Sequence, residues 1–137
     1  MRMAGEMKQT GNSTQGRQTT KALGDAAETQ ALQYLRMQAM TLVARNYRTP
    51  GRGGGEIDLI MRDAEGTLVF VEVRQRSRAA HGGALASITL AKRQRIVWAA
   101  RHFLTRLRDV PPCRFDVVVI ESDGHPQWIK AAFDAHA

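Results

Sequence analysis

The sequence predicts an α/β domain whose elements run in the order αβββαβ, with a further strand closing the chain. Three observations lead there: a helical apolar stripe between Thr20 and Gln38, two strand-like runs joined by a tight turn at Gly66, and a second helical stripe from Ile88 to Leu107 that precedes a Val-rich strand. The chain has 137 residues, enough for one core and too few for two that each bury sufficient apolar surface. Residues 1–18 are polar and rich in Gly, Ser and Thr, and read as a disordered tail ahead of a single domain over 19–137.

In the first helix Leu23, Ala27, Ala31, Leu32 and Leu35 recur at spacings of three and four, and Thr19 or Thr20 can cap it. Thr41 to Arg48 reads as a short strand, ended by the loop Pro50-Gly51-Arg52-Gly53-Gly54-Gly55. Alternation then resumes: Ile57, Leu59 and Met61 on one face, Glu56, Asp58 and Ile60 on the other. Thr67 to Arg76 is the next strand, joined by a three-residue loop, Ala64 to Gly66, whose glycine takes the left-handed position. After a polar stretch from Ser77 to Ala86, the residues Ile88, Lys92, Ile96, Ala100, Phe103, Leu104 and Leu107 share a helical face that ends before Pro111-Pro112. Arg114 to Glu121 is a buried-type strand, and Gln127 to Phe133 forms a last edge strand.

Charge narrows the partners. The chain carries 20 Lys and Arg against 13 Asp and Glu, a formal +7, which favours a polyanion, with nucleic acid ahead of other acidic surfaces. Cys113 is the only cysteine, so an intrachain disulfide is excluded, and His81, His102, His125 and His136 lack metal-site spacing. With neither a secretory apolar region nor a run of roughly 20 apolar residues, the expectation is a cytoplasmic protein with no membrane partner.

The hairpin register places a site. With Ala64 to Gly66 as the loop, Asp63 opposes Thr67, Ile60 faces Phe70, Asp58 sits across from Glu72, and Glu56 across from Arg74. Carboxylates whose side chains start about 5 Å apart repel, and a divalent cation is the natural compensation. Mg²⁺ or Mn²⁺ takes hard oxygen ligands and needs only one or two protein carboxylates, here Asp58 and Glu72, with waters and phosphate completing its shell. The competing reading is a solvated face on which Arg74 and Arg76 offset the acids; against it, Ile60, Leu68 and Phe70 share that face. Glu28, on the apolar side of the first helix, is a candidate third carboxylate or a side chain that snorkels to water.

The segments Leu23-Gly24-Asp25-Ala26-Ala27-Glu28, Arg45-Asn46-Tyr47-Arg48, Gly55-Glu56-Ile57-Asp58-Leu59-Ile60, Val69-Phe70-Val71-Glu72-Val73-Arg74-Gln75-Arg76 and Arg114-Phe115-Asp116-Val117-Val118 together resemble the bacterial YraN-like family of small proteins. The resemblance runs from Leu23 to Phe133. That family is similar to the Holliday-junction resolvases and the PD-(D/E)xK nucleases of restriction-endonuclease-like fold, an αβββαβ core with a mixed sheet flanked by helices. The resemblance implies that Asp58 is the motif aspartate, Glu72 its second acid, and Glu28 the glutamate that resolvase-like members carry on the first helix.

The sequence departs from the nuclease motif at Arg74, which stands where the pattern has lysine. Arginine stabilises charge on phosphorus but stays protonated and cannot act as a base. Lys92, on the inward face of the second helix, is the candidate replacement amine. A second departure, Ala27 for a common glycine, touches packing alone.

The expectation is therefore a Mg²⁺- or Mn²⁺-dependent endonuclease acting on structured or branched DNA, with Glu28, Asp58, Glu72 and Arg74 as catalytic residues. Arg48, Arg52, Arg76, Arg78, Lys92, Arg93 and Arg95 are candidates for phosphate contacts, against the plainer reading of solvated charges. A junction substrate favours a homodimer, because two symmetry-related strands need two cuts. The rival from another class is a nucleic-acid-binding module that kept the fold and lost cleavage; a protein-interaction domain is a third. The Gly51 to Gly55 loop lacks the ending of a nucleotide P-loop, Cys113 has no acid–base partner, and Trp98 and Trp128 are expected to pack rather than stack on bases.

Overall fold

The computed structural model describes residues 19–76 and 88–136. The expected tail over 1–18, the whole polar stretch expected over 77–86, and with it Arg78 lie outside the described residues. Helix α1 (Thr20–Met37) begins where the Thr19 hydroxyl accepts from Ala22 N at 3.0 Å. Strands β1 (Thr41–Arg48), β2 (Glu56–Arg62) and β3 (Leu68–Gln75) follow; helix α2 (Leu90–Leu104), capped by Thr89, leads to β4 (Cys113–Ile120) and β5 (Pro126–Phe133).

The five strands make one mixed sheet in chain order, antiparallel throughout except for the parallel β3–β4 pair that α2 bridges. The predicted αβββαβ order is observed, with the closing strand as a fifth member. Ala27, Ala31, Leu32 and Leu35 of α1 bury one sheet face with Leu59, Met61, Val69, Val71 and Val118. Ile96, Ala99, Ala100 and Phe103 of α2 bury the other with Ile60, Phe70, Phe115 and Val117. Among the described residues no helix is long and apolar enough to cross a membrane.

The hairpin holds its predicted register only in part. Asp63 N donates to Thr67 O at 3.0 Å, Gly66 is left-handed at φ 90°, and Ile60 pairs with Phe70. The ladder stops at Leu59↔Val71, so the expected pairings of Asp58 with Glu72 and of Glu56 with Arg74 do not form. The strand also switches faces there: Ile57, expected beside Leu59 and Met61, packs instead with Ile60 and Phe70. On β1, Asn46 lies between the pairs Arg45↔Leu59 and Tyr47↔Ile57 with φ 54°, a left-handed conformation that asparagine tolerates better than most side chains.

Gly55 explains how β2 meets α2. A Cβ there would lie 1.9 Å from the Arg95 carbonyl oxygen and 3.1 Å from Ala99 Cβ, so only glycine lets strand backbone rest on helix backbone. The Pro50–Gly54 loop beside it is closed at its neck: Thr49 N donates to Gly55 O at 3.0 Å, and Gly55 N donates to Thr49 Oγ1 at 2.7 Å.

The tryptophans divide. Trp128 packs as expected, its Nε1 donating to Asp116 Oδ2 at 2.9 Å and its ring set edge-on to Tyr34. Trp98, expected to pack, is 59% exposed, because its position on α2 turns away from the sheet while Ile96, Val97 and Ala99 turn toward it.

Candidate active site

The site forms where β2 parts from β3. Beyond Leu59↔Val71 the ladder ends, and the Asp58 carboxylate replaces it, Oδ2 accepting from Val73 N at 2.8 Å. That bond anchors Asp58 in the gap between the strands, close to Glu72 although the two backbones are not paired. Glu28 reaches the same gap from α1. Glu28, Asp58 and Glu72 line one cavity of about 460 Å³, with Gly24, Arg74 and Lys92 completing the walls the chemistry uses.

Burial and repulsion set its electrostatics. The Glu72 side chain is only 4% exposed, and withdrawal from water, then the neighbouring Asp58 carboxylate, raise its pKa to about 8 against the opposing pull of Lys92 and Arg74. The same two causes raise Glu28 to about 7, opposed by Arg45. Asp58 thus stands between two acids that both resist ionising beside it.

The cations nearby do not saturate these acids. Arg74 Nε lies 3.2 Å and Lys92 Nζ 3.7 Å from Glu72 Oε2, while Arg45 Nε lies 3.5 Å from Glu28 Oε1. These are ion pairs without aligned hydrogen bonds: Glu28 Oε1, Glu72 Oε1 and Arg74 Nε are buried and make none among the described residues. Among the described residues no group of three or more His, Cys, Asp or Glu side chains is placed to hold a metal ion, so Glu28, Asp58 and Glu72 do not together form a three-ligand set. Unsatisfied carboxylate oxygens beside a second carboxylate are nevertheless the donors a hard divalent cation takes, and an open set suits an ion that keeps waters and phosphate in its shell.

The basic candidates separate. Lys92 turns into the acidic cavity, Arg93 lies over the Phe133 ring at 5.7 Å, and Arg95 is exposed, so these three do not form one flank. Arg48 is exposed and pairs with Glu56 at 3.4 Å, Arg76 with Glu121 at 3.6 Å, and Arg52 is exposed on the loop. Cys113 is exposed, its thiol raised chiefly by burial of the sulfur and with Pro111 O accepting from it at 3.2 Å.

The sequence reading gave no role to two charged residues that the structure puts to use, Arg45 at the site and Asp116 away from it. Arg45 fixes the α1 end of it, donating from Nη2 to Thr29 Oγ1 at 2.9 Å and to Asp25 O at 3.1 Å while facing Glu28. Asp116, fully buried, accepts from Arg114 Nε, Trp128 Nε1 and Ala131 N, and ties β4 to the irregular part of β5. Spacing along one strand gives no hint of the first, whereas a lone aspartate inside a Val-rich strand does point to the second.

The model of a family described as "Uncharacterised protein family UPF0102" matches residues 27–120. A UPF0102 protein of Albidiferax ferrireducens is 63% identical over 117 residues, covering 85% of this chain and 91% of its own. One from a Polaromonas species is 58% identical over 128 residues, covering 88% and 86%. The crystal structure of SSO0001 aligns at 18% identity and a TM-score of 0.42, covering 98% of this chain, which spans 63% of that one.

Proposed function

Because this chain belongs to the UPF0102 family, the YraN-like proteins its motifs resemble, and its acids meet in one cavity, we propose that it is a metal-dependent endonuclease of structured or branched DNA. The observation that carries the reading is the Glu72 carboxylate, buried with one oxygen unsatisfied beside Asp58. Asp58 and Glu72 would hold Mg²⁺ or Mn²⁺. The bound ion supplies a lowered water pKa and charge neutralisation at phosphorus.

The protein's own groups divide the remaining work. Asp58, held by Val73 N, presents its other oxygen from a fixed position. Glu28, with a pKa of about 7, accepts or returns a proton at neutral pH, and Arg45 orients it. Arg74, 3.2 Å from Glu72, draws a phosphate toward the site through its guanidinium. Lys92 Nζ, beside Glu72 Oε2, supplies the amine that the motif position lacks. Two copies acting on symmetry-related strands would suit a junction.

Arg74 is also the observation that favours the second reading, a nucleic-acid-binding module of the same fold without cleavage. Metal-dependent nicking decides between them. Asp58→Asn and Glu72→Gln should abolish cleavage of a four-way junction in Mn²⁺ while leaving salt-sensitive binding in place. Tight binding by the wild type with no nicking of any junction, flap or linear duplex would instead establish the binding module.

A further inference from the structure

Gly24 is a glycine that the protein's own packing does not explain. It sits in the first turns of α1, where glycine costs helix stability relative to alanine. Its φ is not left-handed, and among the described residues a Cβ added there meets nothing within 4 Å. Neither backbone conformation nor close approach by another element calls for a missing side chain, in contrast to Gly55, where both neighbours on α2 would be struck.

What Gly24 does border is open space on both sides. It lines the acidic cavity, and it also lines a second cavity of about 390 Å³ walled by Lys21, Asn46 and Arg48. The two share Gly24 and Glu28, so both open beside this turn of α1. Lys21 and Arg48 line one cavity together with Asp25 and Glu56, Arg74 and Lys92 line the other together with Asp58 and Glu72, and Glu28 belongs to both. Lys21 and Arg48 are held only by pairs to Asp25 and Glu56, and their side chains are 82% and 70% exposed, so they exchange partners cheaply for phosphate.

We propose that a nucleic-acid strand runs from one cavity to the other and crosses α1 over Gly24, its sugar–phosphate backbone resting where a side chain would otherwise stand. Phosphates on one side of the acids meet Lys21 and Arg48, and those on the other meet Arg74 and Lys92. Gly24 is then a positioning residue, which sets how deeply the strand sits over the acids. The inference rests on the nucleic-acid reading of the acidic cavity.

The test compares Gly24→Ala and Gly24→Val with Ala26→Val, which lies on the exposed side of the same helix. Binding of a labelled four-way junction in Ca²⁺ is read by fluorescence anisotropy, Mn²⁺ binding by calorimetry, and folding by thermal melting. Gly24→Ala should raise Tm by roughly 2–6 °C, since helix propensity improves and nothing is displaced. Gly24→Val should weaken junction binding roughly tenfold or more, with Mn²⁺ affinity and Tm held, and Ala26→Val should change none of these. Unaltered junction affinity in Gly24→Val, or a loss accompanied by a lowered Tm or weaker Mn²⁺ binding, overturns the strand path. If the wild type binds no junction, single strand or duplex in any ion, the nuclease reading itself falls and takes this inference with it, whereas normal binding by wild type and Gly24→Val alike removes only the path.

Discussion

Asp58 Oδ2 accepts the backbone N–H of Val73 at 2.8 Å, a side chain closing the end of a ladder that strand carbonyls have ceased to close. The bond makes Asp58 both a structural and a chemical residue, and two substitutions separate the roles. Asp58→Asn keeps an oxygen for Val73 and should unfold within about 1 kcal/mol of wild type, while Asp58→Ala leaves that N–H unpaired and should cost about 1–3 kcal/mol. Both should lose Mn²⁺ binding. Urea denaturation beside calorimetry checks the pair, and full retention of Mn²⁺ affinity by Asp58→Asn would falsify its role as a ligand.

The raised acids give the metal-free protein a pH dependence of definite sign. Glu72 stands at about 8 and Glu28 at about 7, both above the ordinary 4.5, so between those values the folded state holds protons that the unfolded chain has released. Below 4.5 the two states match and there is no penalty; stability then declines as pH rises and reaches its floor above about 8. Melting temperature should therefore be lower at about pH 8 than at about pH 5, and Glu72→Gln should flatten the decline. Mn²⁺ should raise Tm more at the higher pH, because bound carboxylates must be free of protons. A Tm that climbs steadily across this range in the absence of metal contradicts the assignment.

Arg74→Lys restores the amine of the nuclease motif while preserving charge. Single-turnover cleavage of a junction in Mn²⁺ should rise by about tenfold, with binding little changed. A fall in rate would instead make the arginine the group that holds phosphate in the productive place.

Asp116 offers a stability prediction remote from the acids. It is fully buried and takes hydrogen bonds from Arg114, Trp128 and the backbone of Ala131. Asp116→Ala removes one of the two carboxylates that Arg114 pairs with, Asp63 at 3.2 Å remaining, and leaves the Trp128 and Ala131 donors unmet, so it should cost about 2–4 kcal/mol in urea denaturation. An effect under about 1 kcal/mol would mean that water replaces the carboxylate.

Much of this architecture was legible in local pattern. Periodicity found both helices, the bounds of β1, and the hairpin from its Gly66 turn to the pairing of Ile60 with Phe70. Alternation failed at Asp58 because strand periodicity presumes a continuing ladder, and nothing in Glu56-Ile57-Asp58 announces that β2 leaves β3. Asn46, a residue suited to left-handed backbone amid a β-branched and aromatic strand, was the available clue. Asp58 and Glu72 were therefore brought to one cavity by parting strands rather than by the cross-strand pairing that was expected. The ion pair of Arg45 with Glu28 depends on how α1 lies across β1, a relation between elements that spacing along either one cannot express.

The Thr49–Gly55 neck reaches beyond local geometry. Its two hydrogen bonds and the seating of Gly55 on α2 close off Pro50 to Gly54 before Glu56 begins. Insertions or replacements at the loop tip are thereby insulated from the strand that carries Asp58. A change in the length or composition of the tip should therefore leave the position of Asp58 as it is.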